Sequence, residues 1–212
     1  VKRNFRMKYT TIFKGNPESD LLNIFASNPI DILSLSLDDP PEILTEFVKK
    51  YEGKFLAGFI SYEYGVKQLG VPVHNLNDFP AAHFRVYDSF EKNKQLEKPN
   101  NIDWDQFEST LIKSEYDSGF EKIQNHIRSG DFYQINFTHS LKSKTKASPK
   151  ELFLKLRGKN QVGYSVFMEH NDWAIHSLSP EQFIKIENRI ITTKPIKGTF
   201  PRGQSQEEDN YN

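Results

Sequence analysis

Apolar and polar positions along this chain fall into short periodic runs punctuated by Gly, Pro and Asn. Arg6 to Phe13 reads as a strand. Leu21, Leu22, Ile24 and Phe25 predict a helix over Glu18 to Ala26. A second helix is signalled at Asp39-Pro40-Pro41-Glu42, continues through Ile43, Leu44, Phe47 and Val48, and stops at Gly53. Proline is pre-set for the first turn of a helix and glycine for its end. Phe55 to Tyr62 is a mainly apolar run with Gly58 inside it, the pattern of a buried strand with another backbone close by. Gly70 to Pro80 reads as loop. Phe84 to Phe90 and Gln95 to Glu97 predict a hairpin around Glu91-Lys92-Asn93-Lys94.

The second half is more regular. Tyr116, Phe120, Ile123 and Ile127 fall at helical spacing, after a cap-like Ser114-Glu115-Tyr116-Asp117 and before a stop at Gly130. Asp131 to Thr138 then predicts a strand, with Tyr133, Ile135 and Phe137 on one face and Gln134, Asn136 and Thr138 on the other with Phe132. Ser148-Pro149-Lys150-Glu151 is a capping box with proline at the first helical position, opening a helix to Gly158. Val162 to Met168, Trp173 to Leu178 and Phe183 to Ile186 predict strands, the last turning through Glu187-Asn188 into Arg189 to Thr193. The fold class is therefore α+β, with largely antiparallel sheets packed with helices. A soft boundary near Lys98-Pro99-Asn100-Asn101 divides the chain into regions 1–100 and 101–212.

Composition narrows the chemistry. Among 212 residues, 28 basic and 28 acidic side chains balance, which gives no electrostatic reason to bind nucleic acid or an anionic membrane. Cysteine is absent, so disulfides, thiolate metal sites and cysteine nucleophiles are excluded. The six histidines are scattered without ligand spacing. No apolar run approaches a membrane span, and a cytoplasmic location is the expectation.

One stretch stands out: Thr193-Lys194-Pro195-Ile196-Lys197-Gly198-Thr199-Phe200-Pro201-Arg202. Lys197 lies between a proline and a glycine, with cationic neighbours at Lys194 and Arg202. A lysine amine becomes a nucleophile when desolvation or nearby positive charge lowers its pKa. The plain alternative is a solvated turn lysine. Glu181, in Ser179-Pro180-Glu181, precedes a strand of the predicted hairpin, so the out-and-back path brings it to the same end as Lys197. That pair reads either as an acid/base with a nucleophile or as a surface salt bridge.

Three segments, in order and compatibly spaced, resemble the chorismate-utilising enzymes. They are Gly130-Asp131-Phe132-Tyr133-Gln134-Ile135-Asn136-Phe137-Thr138, Ser177-Leu178-Ser179-Pro180-Glu181-Gln182-Phe183, and Pro195-Ile196-Lys197-Gly198-Thr199 with Pro201-Arg202. Ala57-Gly58-Phe59-Ile60-Ser61-Tyr62-Glu63-Tyr64-Gly65 resembles the family's N-terminal G-x-x-S-Y-E segment, so the resemblance covers roughly residues 55 to 203. A lysine before the Gly-Thr pair points to the branch forming 4-amino-4-deoxychorismate, on the route to p-aminobenzoate and folate, rather than to the anthranilate or isochorismate types. The resemblance implies Lys197 as nucleophile and Glu181 as general acid/base, with Gly198, Thr199, Asn136 and Gln134 lining the substrate. It also implies ammonia from a separate glutamine amidotransferase subunit, and magnesium on the substrate carboxylate. It places the magnesium ligands beyond the last match, so the 212-residue chain is expected to hold no metal site and not to turn over alone.

Overall fold

A computed structural model describes residues 9–15, 23–73, 76, 79–98, 101–160, 162–196 and 205. In chain order the elements are β1 (Thr10–Lys14), β2 (Ile24–Ser27), β3 (Asp31–Leu35), α1 (Glu42–Lys50), β4 (Phe55–Ile60), α2 (Tyr62–Gln68), β5 (Ala82–Tyr87) and β6 (Glu91–Lys92). They continue as β7 (Glu108–Ser109), α3 (Lys113–Ser129), β8 (Leu141–Lys142), α4 (Pro149–Lys159), β9 (Tyr164–Glu169), β10 (Ala174–Ser179), β11 (Gln182–Glu187) and β12 (Ile190–Lys194). Every strand pairing among them is antiparallel. The α+β class with antiparallel sheets is what the sequence led one to expect.

The chain forms two compact units, Val1–Glu97 with Leu156–Asn212, and Lys98–Lys155. These bounds differ from a division at residue 100, because β1 pairs with β9 (Thr11 opposite Met168) and draws the last third of the chain to the first. In the first unit a five-stranded sheet runs β10-β9-β1-β2-β6 and a three-stranded sheet runs β3-β5-β4. Strand alternation gives β5 two faces. Tyr87 packs with Ala26, Ala57 and Met168, ringed by Phe13, Phe55, Phe59 and Trp173, so this face meets the five-stranded sheet. Ala82 packs with Leu35 and Tyr64, against Ile43 and Leu44 of α1, so the opposite face is covered by helices. Gly58 is explained by its neighbour in β5: a Cβ there would stand 2.3 Å from the His83 carbonyl oxygen and 2.5 Å from the Phe84 ring.

Three expectations need correction. The described end of the helix predicted over Glu18 to Ala26 is strand β2, in which Ile24 and Ala26 are buried and Phe25 between them is only partly so; Glu18 to Leu22 lie outside the described residues. Pairing with β1 outweighs the weak local helical pattern, and Asn28, at φ 56°, turns the chain towards β3. The hairpin predicted around Glu91 to Lys94 does not form either. Glu91 and Lys92 add to the open edge of β2, and the Asn93 N–H continues that contact with the Asn23 carbonyl at 2.9 Å. Finally, Asp131 to Thr138 is no strand: none of the described strands pairs with it, and Tyr133, on the face predicted to be buried, is 96% exposed. Alternation can prescribe a face, but a strand also needs a neighbour to accept its ladder.

The helix signals of the second unit are accurate to within a residue or two. α3 starts at Lys113, slightly before the Ser114 cap expected, with Glu115 accepting from the Ile112 N–H at 3.1 Å. It ends at Gly130 in the left-handed region (φ 82°), where the Asp131 N–H reaches the His126 carbonyl at 3.0 Å. At α4 the capping box forms as read. The Ser148 N–H and hydroxyl donate to Glu151 Oε2 at 3.0 and 2.7 Å, and the Glu151 N–H donates back to Ser148 Oγ at 3.3 Å. Ser148→Ala is expected to cost about 1 kcal/mol, read as a lower urea midpoint with an unchanged m-value.

Candidate active site

β11 and β12 form a two-stranded ribbon closed by Asn188 and Arg189, one residue later than the Glu187-Asn188 turn expected, both at positive φ (51° and 64°), as a two-residue hairpin requires. The pairing runs Glu187–Ile190, Ile186–Ile191 and Lys185–Thr192, then slips by one residue to Gln182–Lys194. Before the ribbon, Ser179 Oγ accepts the Glu181 N–H at 3.1 Å and donates to the Glu181 carbonyl at 3.0 Å, which sets the chain after Pro180. Pro195 has no N–H, so the next donor on the returning strand is Ile196. That N–H donates to Glu181 Oε1 at 3.1 Å. The carboxyl is thus tethered to the residue preceding Lys197.

Lys197, Gly198 and Thr199 lie outside the described residues. Glu181 itself is exposed, as are the ribbon's apolar side chains Phe183 (84%), Ile186 (70%), Ile190 and Ile191. Gln134 and Asn136 belong to the second unit, where both are exposed in the irregular segment after α3. Among the described residues no cluster of three His, Asp or Glu side chains is placed to hold a metal ion. An open groove of about 730 Å³ in the second unit, lined by Trp104, Lys144, Lys146 and Glu151 among others, includes none of the predicted site residues. No helix among the described residues is long and apolar enough to cross a membrane.

A buried polar cluster in the first unit was not singled out from the sequence. Thr11, His83 and Arg85 are at most 1% exposed. Arg85 Nε, which can only donate, meets His83 Nε2 at 3.0 Å, so His83 carries its proton on Nδ1 and gives it to Ser34 Oγ at 2.8 Å. Arg85 Nη1 reaches the Thr10 carbonyl and Thr11 Oγ1 at 3.3 and 3.4 Å, while Thr11 Oγ1 is 2.7 Å from the Tyr87 hydroxyl. The rings of Tyr9 and Trp173 lie 5.2 and 5.8 Å from the guanidinium carbon. Burial above all, and then the charge of Arg85 and the nearby His170, push the His83 pKa down to about 4. Period-two alternation in Ala82-His83-Phe84-Arg85-Val86-Tyr87 was the available signal, since it sets His83, Arg85 and Tyr87 on one face.

Comparison with known proteins bears on the ribbon and its flanks. A family model described as chorismate binding enzyme matches residues 26–212. The aminodeoxychorismate synthase component 1 of Salmonella typhimurium strain LT2 is 37% identical over 103 residues, 49% of this chain and 23% of that protein. Its Escherichia coli K12 counterpart is 36% identical over 108 residues, 51% of this chain and 23% of that protein. Anthranilate synthase component 1 of Pseudomonas putida is 31% identical over 104 residues, 49% of this chain and 21% of that protein. The matched stretch is therefore under a quarter of each relative. A solved Bacillus anthracis protein, described as a 2,3-dihydroxybenzoate-specific isochorismate synthase, superposes with a TM-score of 0.61 at 15% identity, over 96% of this chain and 53% of that one. It shares the fold. With the family model covering nearly the whole described chain, this protein belongs to the chorismate binding enzyme family.

Proposed function

We propose that the chain carries the nucleophile and the acid of an enzyme that converts chorismate and ammonia to 4-amino-4-deoxychorismate. The observation supporting this is the tether of Glu181 Oε1 to the Ile196 N–H, which holds a carboxyl beside the residue that leads into Lys197. In this reading the neutral Lys197 amine attacks C2 of chorismate, both conjugated ring double bonds shift, and the C4 hydroxyl leaves as water with a proton from Glu181. Ammonia then adds at C4, both double bonds shift back, and the lysine amine is released. Hydroxide is a poor leaving group, which is why the first step needs a proton donor. Gly198, Thr199, Gln134 and Asn136 would line the substrate. Ammonia would come from a glutamine amidotransferase, and the route would serve p-aminobenzoate and folate synthesis. Magnesium enters no step here.

The test is a chimera in which the part of the Salmonella relative corresponding to residues 26–212 is replaced by that of this chain. With chorismate, ammonium and magnesium it is expected to form 4-amino-4-deoxychorismate. Lys197→Ala or Glu181→Gln should lower that rate by about 10² or more. An unchanged rate in Lys197→Ala would remove the covalent role; anthranilate as the product would move the assignment to another branch.

A further inference from the structure

The segment between α3 and β8 lacks a strand partner among the described residues, yet it is held at three places. At its start the Asp131 carboxyl is 2.7 Å from His126 Nδ1, and Phe132 stacks on the His126 ring at 5.8 Å. At its end the Ser140 N–H donates to Thr110 Oγ1 at 3.1 Å, and the Thr110 N–H donates to the Ser140 carbonyl at 2.9 Å. Between them Phe137 lies against α3, stacked with Tyr116 at 5.1 Å and 19°. Gly119, in the helix beneath, makes this possible: a Cβ there would stand 2.6 Å from Phe137 Cζ and 3.1 Å from Cε1. Glycine inside a helix is disfavoured by about 1 kcal/mol relative to alanine, so its presence in the second turn of α3 calls for a reason in packing. Phe137 supplies it.

We infer that Gly119 and Phe137 are positioning residues: the glycine is a seat for the phenyl ring, and the seated ring fixes where the adjoining Gln134 and Asn136 are presented. The inference rests on the proposed function only for what those two side chains do, not for the seat itself. Gly158 is a matched control, being a helical glycine with nothing within 4 Å of where its Cβ would lie.

Two measurements test it. In the ¹⁵N-labelled 212-residue chain, Gly119→Ala should shift the backbone and side-chain amide signals of residues 134–138, whereas Gly158→Ala should leave them in place. Adding Gly119→Ala to Phe137→Ala should produce little further shift, since the ring it collides with is gone. If Gly119→Ala moves those signals no more than Gly158→Ala does, the seat is disproved. In the chimera, Gly119→Ala should raise KM for chorismate about tenfold with kcat within about twofold, because a small displacement of a binding wall weakens substrate contact. Shifted amide signals with an unmoved KM would keep the seat and refute Gln134 and Asn136 as substrate contacts.

Discussion

Gly58→Ala is expected to destabilise the first unit by about 3 kcal/mol, the upper part of the range for forcing extra volume into a packed interior. Gly58 sits opposite Phe84 in the β4–β5 ladder, at the sheet that both core clusters share. Its φ is not in the left-handed region, so the cost is steric rather than conformational. Part of the collision is with the Phe84 ring, which can swing aside. The rest is with the His83 carbonyl oxygen at 2.3 Å, and backbone can yield only if the ladder spreads. Urea unfolding should therefore show a large fall in midpoint. Combining Gly58→Ala with Phe84→Ala should not restore it, because the carbonyl collision remains. A double variant more stable than Phe84→Ala alone would disprove this account.

The second large effect is acid lability. His83 binds a proton near pH 6.5 in the unfolded chain but only near pH 4 when folded, because the buried ring faces Arg85 and accepts its N–H. Above about 6.5 neither state is protonated there, and the group's contribution to stability is complete. As pH falls from 6.5 towards 4 the unfolded chain gains the proton first, and stability drops by roughly 3 kcal/mol over that window. His170 and His176, also pushed down by burial, act in the same direction. Asp31, held low chiefly by the Tyr51 hydroxyl, loses its contribution only at more acid pH, below the ordinary carboxylate value near 3.8. Urea unfolding from pH 7 to 5 should give a clearly steeper pH slope for the natural chain than for His83→Gln. Equal slopes would show that this imidazole is not what the acid attacks.

These two effects depend on residues that the sequence makes visible to different degrees. Gly58 was legible as a point of close backbone approach, because a glycine inside an apolar strand has few other uses. His83 and Arg85 were not, since a strand's alternation says which side chains share a face but not whether another sheet will cover it. At the candidate site, the hairpin that returns the chain from Glu181 to Ile196 was predictable from its spacing. The one-residue slip between Gln182 and Lys185 was not. The strand predicted over Asp131 to Thr138 failed for a related reason. Its polar and apolar positions are well ordered, but nothing described pairs with its backbone.

What the sequence determined by itself is everything settled within a few residues along the chain: the Ser148–Glu151 capping box, the Gly130 helix stop, the turn at Asn188, and the motifs that signal the chorismate binding family. Capping, turn geometry and helix ends are satisfied by neighbours in sequence, so they are written locally. Only the tertiary structure decided which edges pair, as when β2 and β6 joined β1 and β9 in one sheet, and which polar groups that pairing buried. Such pairings bring together residues as distant as Thr11 and Met168. Their free energy depends on competing partners and on the entropy of closing the intervening loops, and no short window of sequence contains either.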